Sequence, residues 1–138
     1  MQCNQSESYT LFFDGCSKGN PGKAGAGAVI YRNQIEIYSQ SSFVGEKTTN
    51  NVAEYSGLIM GLEKAVGLNI NRLHVKGDSM LAIKQLRGEF KVNSPSIVPL
   101  FQRAKQLEKQ IGQVTYEHVY REYNKRADQL ANEGLILN

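Results

Sequence analysis

The sequence predicts an α/β fold: a mixed five-stranded sheet, built from an antiparallel meander plus two parallel strands and flanked by helices. Three observations carry this expectation. Three strand-like segments joined by turn chemistry open the chain. Segments with apolar residues at 3-and-4 spacing then alternate with two short strands. No linker, repeat or low-complexity tract interrupts the series. The expected order is β-β-β-α-β-α-α-β-α, in a single domain over residues 1–138 with residues 1–7 as a frayed polar lead.

The first strand is the aromatic-rich run Tyr9 to Phe13, read as ending at Asp14-Gly15, where a glycine-rich turn with Asn20-Pro21-Gly22 follows. Ala24 to Arg32 reads as a second strand whose small residues allow close backbone approach. Arg32-Asn33-Gln34 turns the chain into a third strand, Ile35 to Phe43, with one face in water. A helix begins near Val52, with Tyr55, Leu58, Ile59, Leu62, Ala65 and Val66 on its buried face. Gly57 and Gly61 share a row with Glu54; glycine weakens a helix, so close packing is the reason to expect it there. Asn71 to Asp78 is a short strand, Ser79 to Leu86 a helix, and Ile97 to Ile111 a further amphipathic helix that tolerates Pro99 in its first turn. Gln113 to Tyr120 alternates as the fifth strand. A polar connection then leads to a last helix with Ala127, Leu130, Ala131 and Leu135 facing inward.

Apolar residues at 41% and charged residues at 21% fit a folded globular chain rather than a disordered one. The N-terminal stretch carries no apolar signal region, and no run approaches a membrane span. The expected location is therefore cytoplasmic, with no membrane partner. Cys3 and Cys16 do not make a disulfide framework. A net charge of +3 permits a polyanionic partner without arguing for one.

The acids say more. Against ten glutamates stand three aspartates, Asp14, Asp78 and Asp128, each at an expected element boundary. Each candidate acid also has an ordinary structural account. Asp14 suits a turn, Glu54 a capping box with Asn51 as the cap, Asp78 an N-cap, and Asp128 the first turn of a helix. Taken together they read differently. Asp14 and Asp78 end two strands expected to be central and parallel, where open α/β sheets carry their sites, while Glu54 and Asp128 begin helices packed on that sheet. Four converging carboxylates repel unless cations are present, and hard oxygen ligands suit Mg²⁺. Two such ions roughly 4 Å apart form a clamp for in-line displacement at a phosphodiester. Rival constellations are weak. His74 and His118 are read as mid-strand residues without metal-ligand spacing, neither cysteine sits beside a histidine, and GNPGKAGAG lacks the ending of a phosphate-binding P-loop.

Four blocks, DGCSKGNPGKAGAGAVI, TTNNVAEYSGLIMGL, LHVKGDSMLAIKQL and YREYNKRADQLANEGL, closely resemble in order and spacing the motif blocks of type 1 ribonuclease H, from about Tyr9 to Leu135. The resemblance implies a ribonuclease H-like fold and Mg²⁺-dependent cleavage of the RNA strand of RNA–DNA hybrids, leaving 5′-phosphate and 3′-hydroxyl ends. It carries over Asp14, Glu54, Asp78 and Asp128 as catalytic and metal-binding residues, with two ions when substrate is bound and Mn²⁺ able to substitute. By similarity Asp14 bridges both ions, and Asp128 helps hold the one that activates water. Glu54 and Asp78 favour the ion at the leaving 3′ oxygen. Asn20, Thr49, Asn50 and Asn51 match the polar residues that grip the hybrid, and Gly15, Cys16, Ser17 and Ser79 belong to the same implied contact set. For Asn51, helix capping stands as an equal alternative.

Two departures from the family pattern follow. The longer loop with a mobile histidine before the last aspartate is missing, and Arg121 is the residue expected to contact phosphate in its place. The basic, tryptophan-bearing protrusion is missing too, since Arg87 to Ser96 is too short for it and the chain has no tryptophan. Weaker, salt-sensitive binding through Lys18, Lys84, Lys91 and Arg126 is the expectation. The expected protein is a monomeric nuclease needing no obligatory protein partner. The alternatives are a catalytically silent hybrid- or RNA-binding module of the same fold, a nuclease that also cuts double-stranded RNA, and a domain of a reverse transcriptase or larger enzyme.

Overall fold

A computed structural model describes residues 7–137. Residues 1–6, with Cys3 and most of the expected frayed lead, lie outside the described residues. Glu7 accepts hydrogen bonds from Arg32 (3.1 Å) and from the Tyr9 hydroxyl (3.0 Å).

The elements run β1 (Tyr9–Lys18), β2 (Gly22–Arg32), β3 (Ile35–Thr48), α1 (Asn50–Gly67), β4 (Arg72–Gly77), α2 (Met80–Leu86), α3 (Val98–Ile111), β5 (Gln113–His118) and α4 (Lys125–Gly134). A single 3-10 turn, Arg121–Tyr123, leads into α4. The sheet order is β3-β2-β1-β4-β5; the first three strands pair antiparallel, and β4 joins β1 and β5 in parallel. The mixed five-stranded sheet predicted from the sequence is thus observed. Asn33 and Gln34 both adopt positive φ (50° and 74°), the backbone of a tight two-residue hairpin turn.

β1 runs farther than the sequence suggested. Its glycines do not end the strand, because Ala24 to Gly27 of β2 is equally small and the hairpin ladder continues to the pair Lys18–Lys23. What ends near Asp14 is the parallel ladder with β4, whose last pair is Phe13–Gly77. Asp14 and Asp78 are therefore the next residues of two neighbouring strands, although only Asp78 follows a strand end. β3 likewise extends past Phe43 to Thr48.

The main core lies on one face of the sheet. There Leu11, Phe13, Ala28 and Ile30 of the strands meet Tyr55, Leu58 and Leu62 of α1, Ile83 and Leu86 of α2, and Ala104 and Leu107 of α3. Across the sheet, Ala127 and Leu130 of α4 pack on Val29, beside Phe12 and Tyr31. Glycines bring the layers into backbone contact. A Cβ on Gly57 would stand 2.6 Å from the Asp14 carbonyl oxygen and 2.8 Å from that of Gly27, and one on Gly15 would stand 2.3 Å from the Glu54 nitrogen. On the α4 side, a Cβ on Gly25 would stand 2.3 Å from the Ala131 carbonyl oxygen. This packing sets Glu54 directly beside the Asp14 segment.

Candidate active site

Four local features aim the acids. The cap of α1 is Thr49, whose Oγ1 accepts from the Val52 N–H (3.2 Å); Asn51 lies inside the helix, which corrects its reading as the cap. Without Asn51 as cap, Glu54 has no capping box to serve. Ser79 caps α2 by accepting from the Ala82 N–H (3.2 Å), so Asp78 is not spent on capping either. Asn124, 1% exposed, donates its Nδ2–H to the Phe13 carbonyl (3.0 Å) and fastens the start of α4 one residue before Asp14. Asp128 follows in the first turn of α4, where the helix dipole favours an acid.

The outcome is an open cleft of about 570 Å³ whose wall includes all four predicted carboxylates. Asp14, Glu54 and Asp78 each present an oxygen within 4.8 Å of the other two. Asp128 approaches from α4 and lines the same cleft, near enough to raise the pKa of Asp14. Asp14 and Glu54 are 4% and 5% exposed, which makes their charges expensive. Burial, then the charge of Asp78 and the nearness of Asp128, push Asp14 up to about 8. Burial, then the charges of Asp14 and Asp78, push Glu54 up to about 9, partly opposed by Arg121 and by the Asn50 amide (3.4 Å).

The donor set fits a hard divalent cation. All the converging atoms are carboxylate oxygens, and Glu54 Oε1 is buried without a hydrogen-bond partner, an orphan that a cation would satisfy. The residues that would hold it are Asp14, Glu54 and Asp78, with Asp128 alongside.

Of the predicted contact residues, Gly15, Cys16, Ser17, Asn50, Ser79 and Arg121 line this cleft, as does Lys18. Asn20, Thr49 and Asn51 lie beside it rather than on its wall. Asn20 Oδ1 accepts from the Asn50 N–H (2.9 Å), and Ser17 donates to the Thr48 carbonyl (2.8 Å), clasping the β1–β2 turn to the start of α1. Among the basic residues, Arg126 is tied to Glu36 at 3.0 Å and is not a free cation for a polyanion. Lys84 lies over the Phe90 ring (5.1 Å). Tyr120 and Asn132 escaped the sequence reading, and His118, set aside there as a mid-strand residue, lines the cleft too. His118 closes β5 instead of sitting mid-strand, and packs edge-on against Tyr120, which also lines the cleft. Asn132 was not singled out at all; its one signal is that it stands four residues, one helical turn, after Asp128.

A mixed sheet of this topology, with carboxylates gathered at the end of its parallel ladder, defines an α/β protein with a candidate divalent-metal centre. Residues 12–134 match the family model described as "Reverse transcriptase-like". A bifunctional protein of Mycobacterium tuberculosis is 42% identical over 123 residues, covering 88% of this chain and 34% of that protein. The chain thus spans about a third of the length of this mycobacterial relative. The solved N-terminal RNase H domain of the same protein superposes with a TM-score of 0.90 at 39% identity, covering 94% of each chain. Ribonuclease H of Pseudomonas syringae pv. syringae is 33% identical, covering 94% of this chain and 93% of that one. LC11-RNase H1, solved in complex with an RNA/DNA hybrid, gives a TM-score of 0.88 at 34% identity, covering 93% of this chain and 96% of that one. The chain belongs to the type 1 ribonuclease H family of nucleases.

Proposed function

We propose that this chain hydrolyses the RNA strand of RNA–DNA hybrids, giving 5′-phosphate and 3′-hydroxyl ends. The observation that carries the reading is the convergence of Asp14, Glu54 and Asp78 within 4.8 Å in one open cleft, with Asp128 on the wall of the same cleft. Bound Mg²⁺, as two ions when substrate is present, would supply charge neutralisation at the phosphate and an acidified water. The protein's part is to hold the carboxylates. Asp14, anchored in β1 against α1, is the shared centre; Glu54 and Asp78 flank it on the main-core side, and Asp128 serves the side of the attacking water. In the reaction a water oxygen bonds to phosphorus and releases a proton to solvent, the P–O3′ bond breaks, and the leaving oxygen takes up a proton from solvent.

Recognition falls to neutral donors at the cleft. Asn50, Ser17 and Ser79 suit contacts with 2′-hydroxyls and phosphates, because they add hydrogen bonds without adding charge. Arg121, whose charge opposes the raised pKa of Glu54, suits a phosphate contact in place of the loop histidine. We read the chain as one ribonuclease H domain acting as a monomer in the cytoplasm. Among the described residues no helix is long and apolar enough to cross a membrane.

The test is gel-resolved cleavage of an end-labelled RNA–DNA hybrid with Mg²⁺, beside double-stranded RNA and DNA, using wild type and Asp14→Asn. Hybrid-only cutting that is lost in the variant is the expected result. Cutting of double-stranded RNA would widen the substrate. Hybrid binding without any cutting would favour the silent module.

A further inference from the structure

The four acids are not held alike. Glu54 and the Asp14 segment are fixed by backbone packing, and Asp78 follows directly on β4. Asp128 alone comes from the opposite face of the sheet, on a helix whose first turn has, among the described residues, no side-chain cap hydrogen bond. What engages it locally is Asn132, one turn on. The Nδ2 group of Asn132 donates to the Asp128 carbonyl at 2.9 Å and to its carboxylate Oδ1 at 3.4 Å. On its other side, Asn132 Oδ1 accepts from the Cys16 thiol of β1 at 3.8 Å. One exposed amide therefore spans the two elements whose acids meet, β1 and α4. Asparagine is a poorer helix former than alanine, so the helix itself gains nothing from it at this position.

We infer that Asn132 is a positioning residue for Asp128. Its N–H holds Oδ1 and so turns the carboxylate, leaving Oδ2 free for the cleft. The Asp128 carbonyl, which can only accept, fixes which way round the amide sits, nitrogen toward Asp128 and oxygen toward the Cys16 thiol that donates to it. The amide thus does for the α4 limb what glycine packing does for Glu54 and Asp14. This role rests on the hydrolytic reading of the cleft, in which the orientation of Asp128 matters. Groups that orient a ligating carboxylate change activity or ion affinity by about 10–100-fold when removed.

The test has two independent parts, both on the full chain. The first needs neither metal nor turnover: the side-chain rotamer of Asp128, read from NMR couplings in wild type and Asn132→Ala. A single rotamer in wild type that becomes averaged in the variant is expected; an unchanged rotamer overturns the inference. The second is a double-mutant cycle on hybrid cleavage with Asn132→Ala, Asp128→Asn and both together. Asn132→Ala should lower kcat about tenfold with KM unchanged, and should add nothing in the Asp128→Asn background. A loss of equal size in that background, or a loss confined to KM, means that Asn132 acts on substrate directly and overturns the positioning role. Alanine favours the helix, so an unchanged melting temperature separates these effects from misfolding. If wild type cuts no hybrid, the hydrolytic reading falls, and the rotamer measurement still decides what Asn132 does to Asp128.

Discussion

The two sides of the cleft are built on different principles. On the β1–α1 side, Asp14 and Glu54 are almost fully buried, and their backbones meet through Gly15 and Gly57 with no side chain between them. On the α4 side, Asp128 is only half-buried and is held by the hydrogen bonds of Asn132 and by Asn124 pinning the helix start to Phe13. Backbone packing cannot yield without moving a whole helix, whereas a side-chain tether can be cut and leave the fold intact. The first side should therefore fail by unfolding or loss of the site, and the second by graded loss of rate.

The strongest way to break this contrast is to add one methyl group to the packed side. Gly57→Ala puts a Cβ 2.6 Å from the Asp14 carbonyl oxygen, so α1 must lift from the sheet and carry Glu54 with it. A loss of about 2–4 kcal/mol of stability, together with loss of cleavage, is expected. Gly67→Ala, at the exposed end of the same helix with open space around it, is the control. It should be neutral or stabilising by up to about 1 kcal/mol. Chemical denaturation of the two variants checks both figures, and equal effects would mean that close packing is not why Gly57 is there.

Next in size is the response of the buried acids to pH. Asp14 and Glu54 are raised in the folded protein to about 8 and about 9, from ordinary values near 4. The folded state therefore binds more protons than the unfolded one between those limits. Their contribution is fully present below the unfolded values and is lost as pH rises through the folded ones. Metal-free protein should lose stability from about pH 5 to about pH 9, and Asp14→Asn should flatten that slope and add about 1–3 kcal/mol at neutral pH. Added Mg²⁺ should restore wild type most at the alkaline end, since it binds the ionised site. A metal-free stability that climbs with pH across this window would contradict the buried, proton-holding pair.

The same contrast marks what the sequence could tell. The strands and helices were legible because apolar spacing and turn residues report burial, and burial is what decides those elements; the four acids drew attention because they stand where those elements begin or end. The glycine row behind Glu54 was legible for the same reason. The length of β1 was not: Asp14-Gly15 and the glycines after it read as a stop, but whether such a run ends a strand depends on the partner strand, and β2 is small enough to continue the ladder. Thr49 rather than Asn51 caps α1, and Ser79 rather than Asp78 caps α2. Adjacent residues compete for one cap, and a shift of one or two positions leaves the local pattern unchanged. His118, set aside as a mid-strand residue, and Asn132, not singled out, reach the cleft only when β5 is paired with β4 and α4 is docked on β1.

The smallest expected effect separates surface charge that lines the cleft from surface charge that does not. Lys18 and Arg121 line it, whereas Arg126 is held by Glu36 on the α4–β3 side, with each partner about a third exposed. A partly exposed ion pair of this kind is worth only about 0–1 kcal/mol, so Arg126→Ala should change stability little. It should also leave the salt dependence of hybrid binding untouched, because its charge is already paired and points elsewhere. Lys18→Ala and Arg121→Ala should each weaken hybrid affinity and lower the slope of log affinity against log salt by roughly one counterion's worth. A salt titration of binding in Ca²⁺, a divalent ion that screens the site without the small-ion geometry of Mg²⁺, would make the comparison without turnover. If Arg126→Ala lowered the slope as much as Lys18→Ala, the hybrid would have to extend over α4, and the basic footprint would be set by the helix rather than by the rim of the cleft.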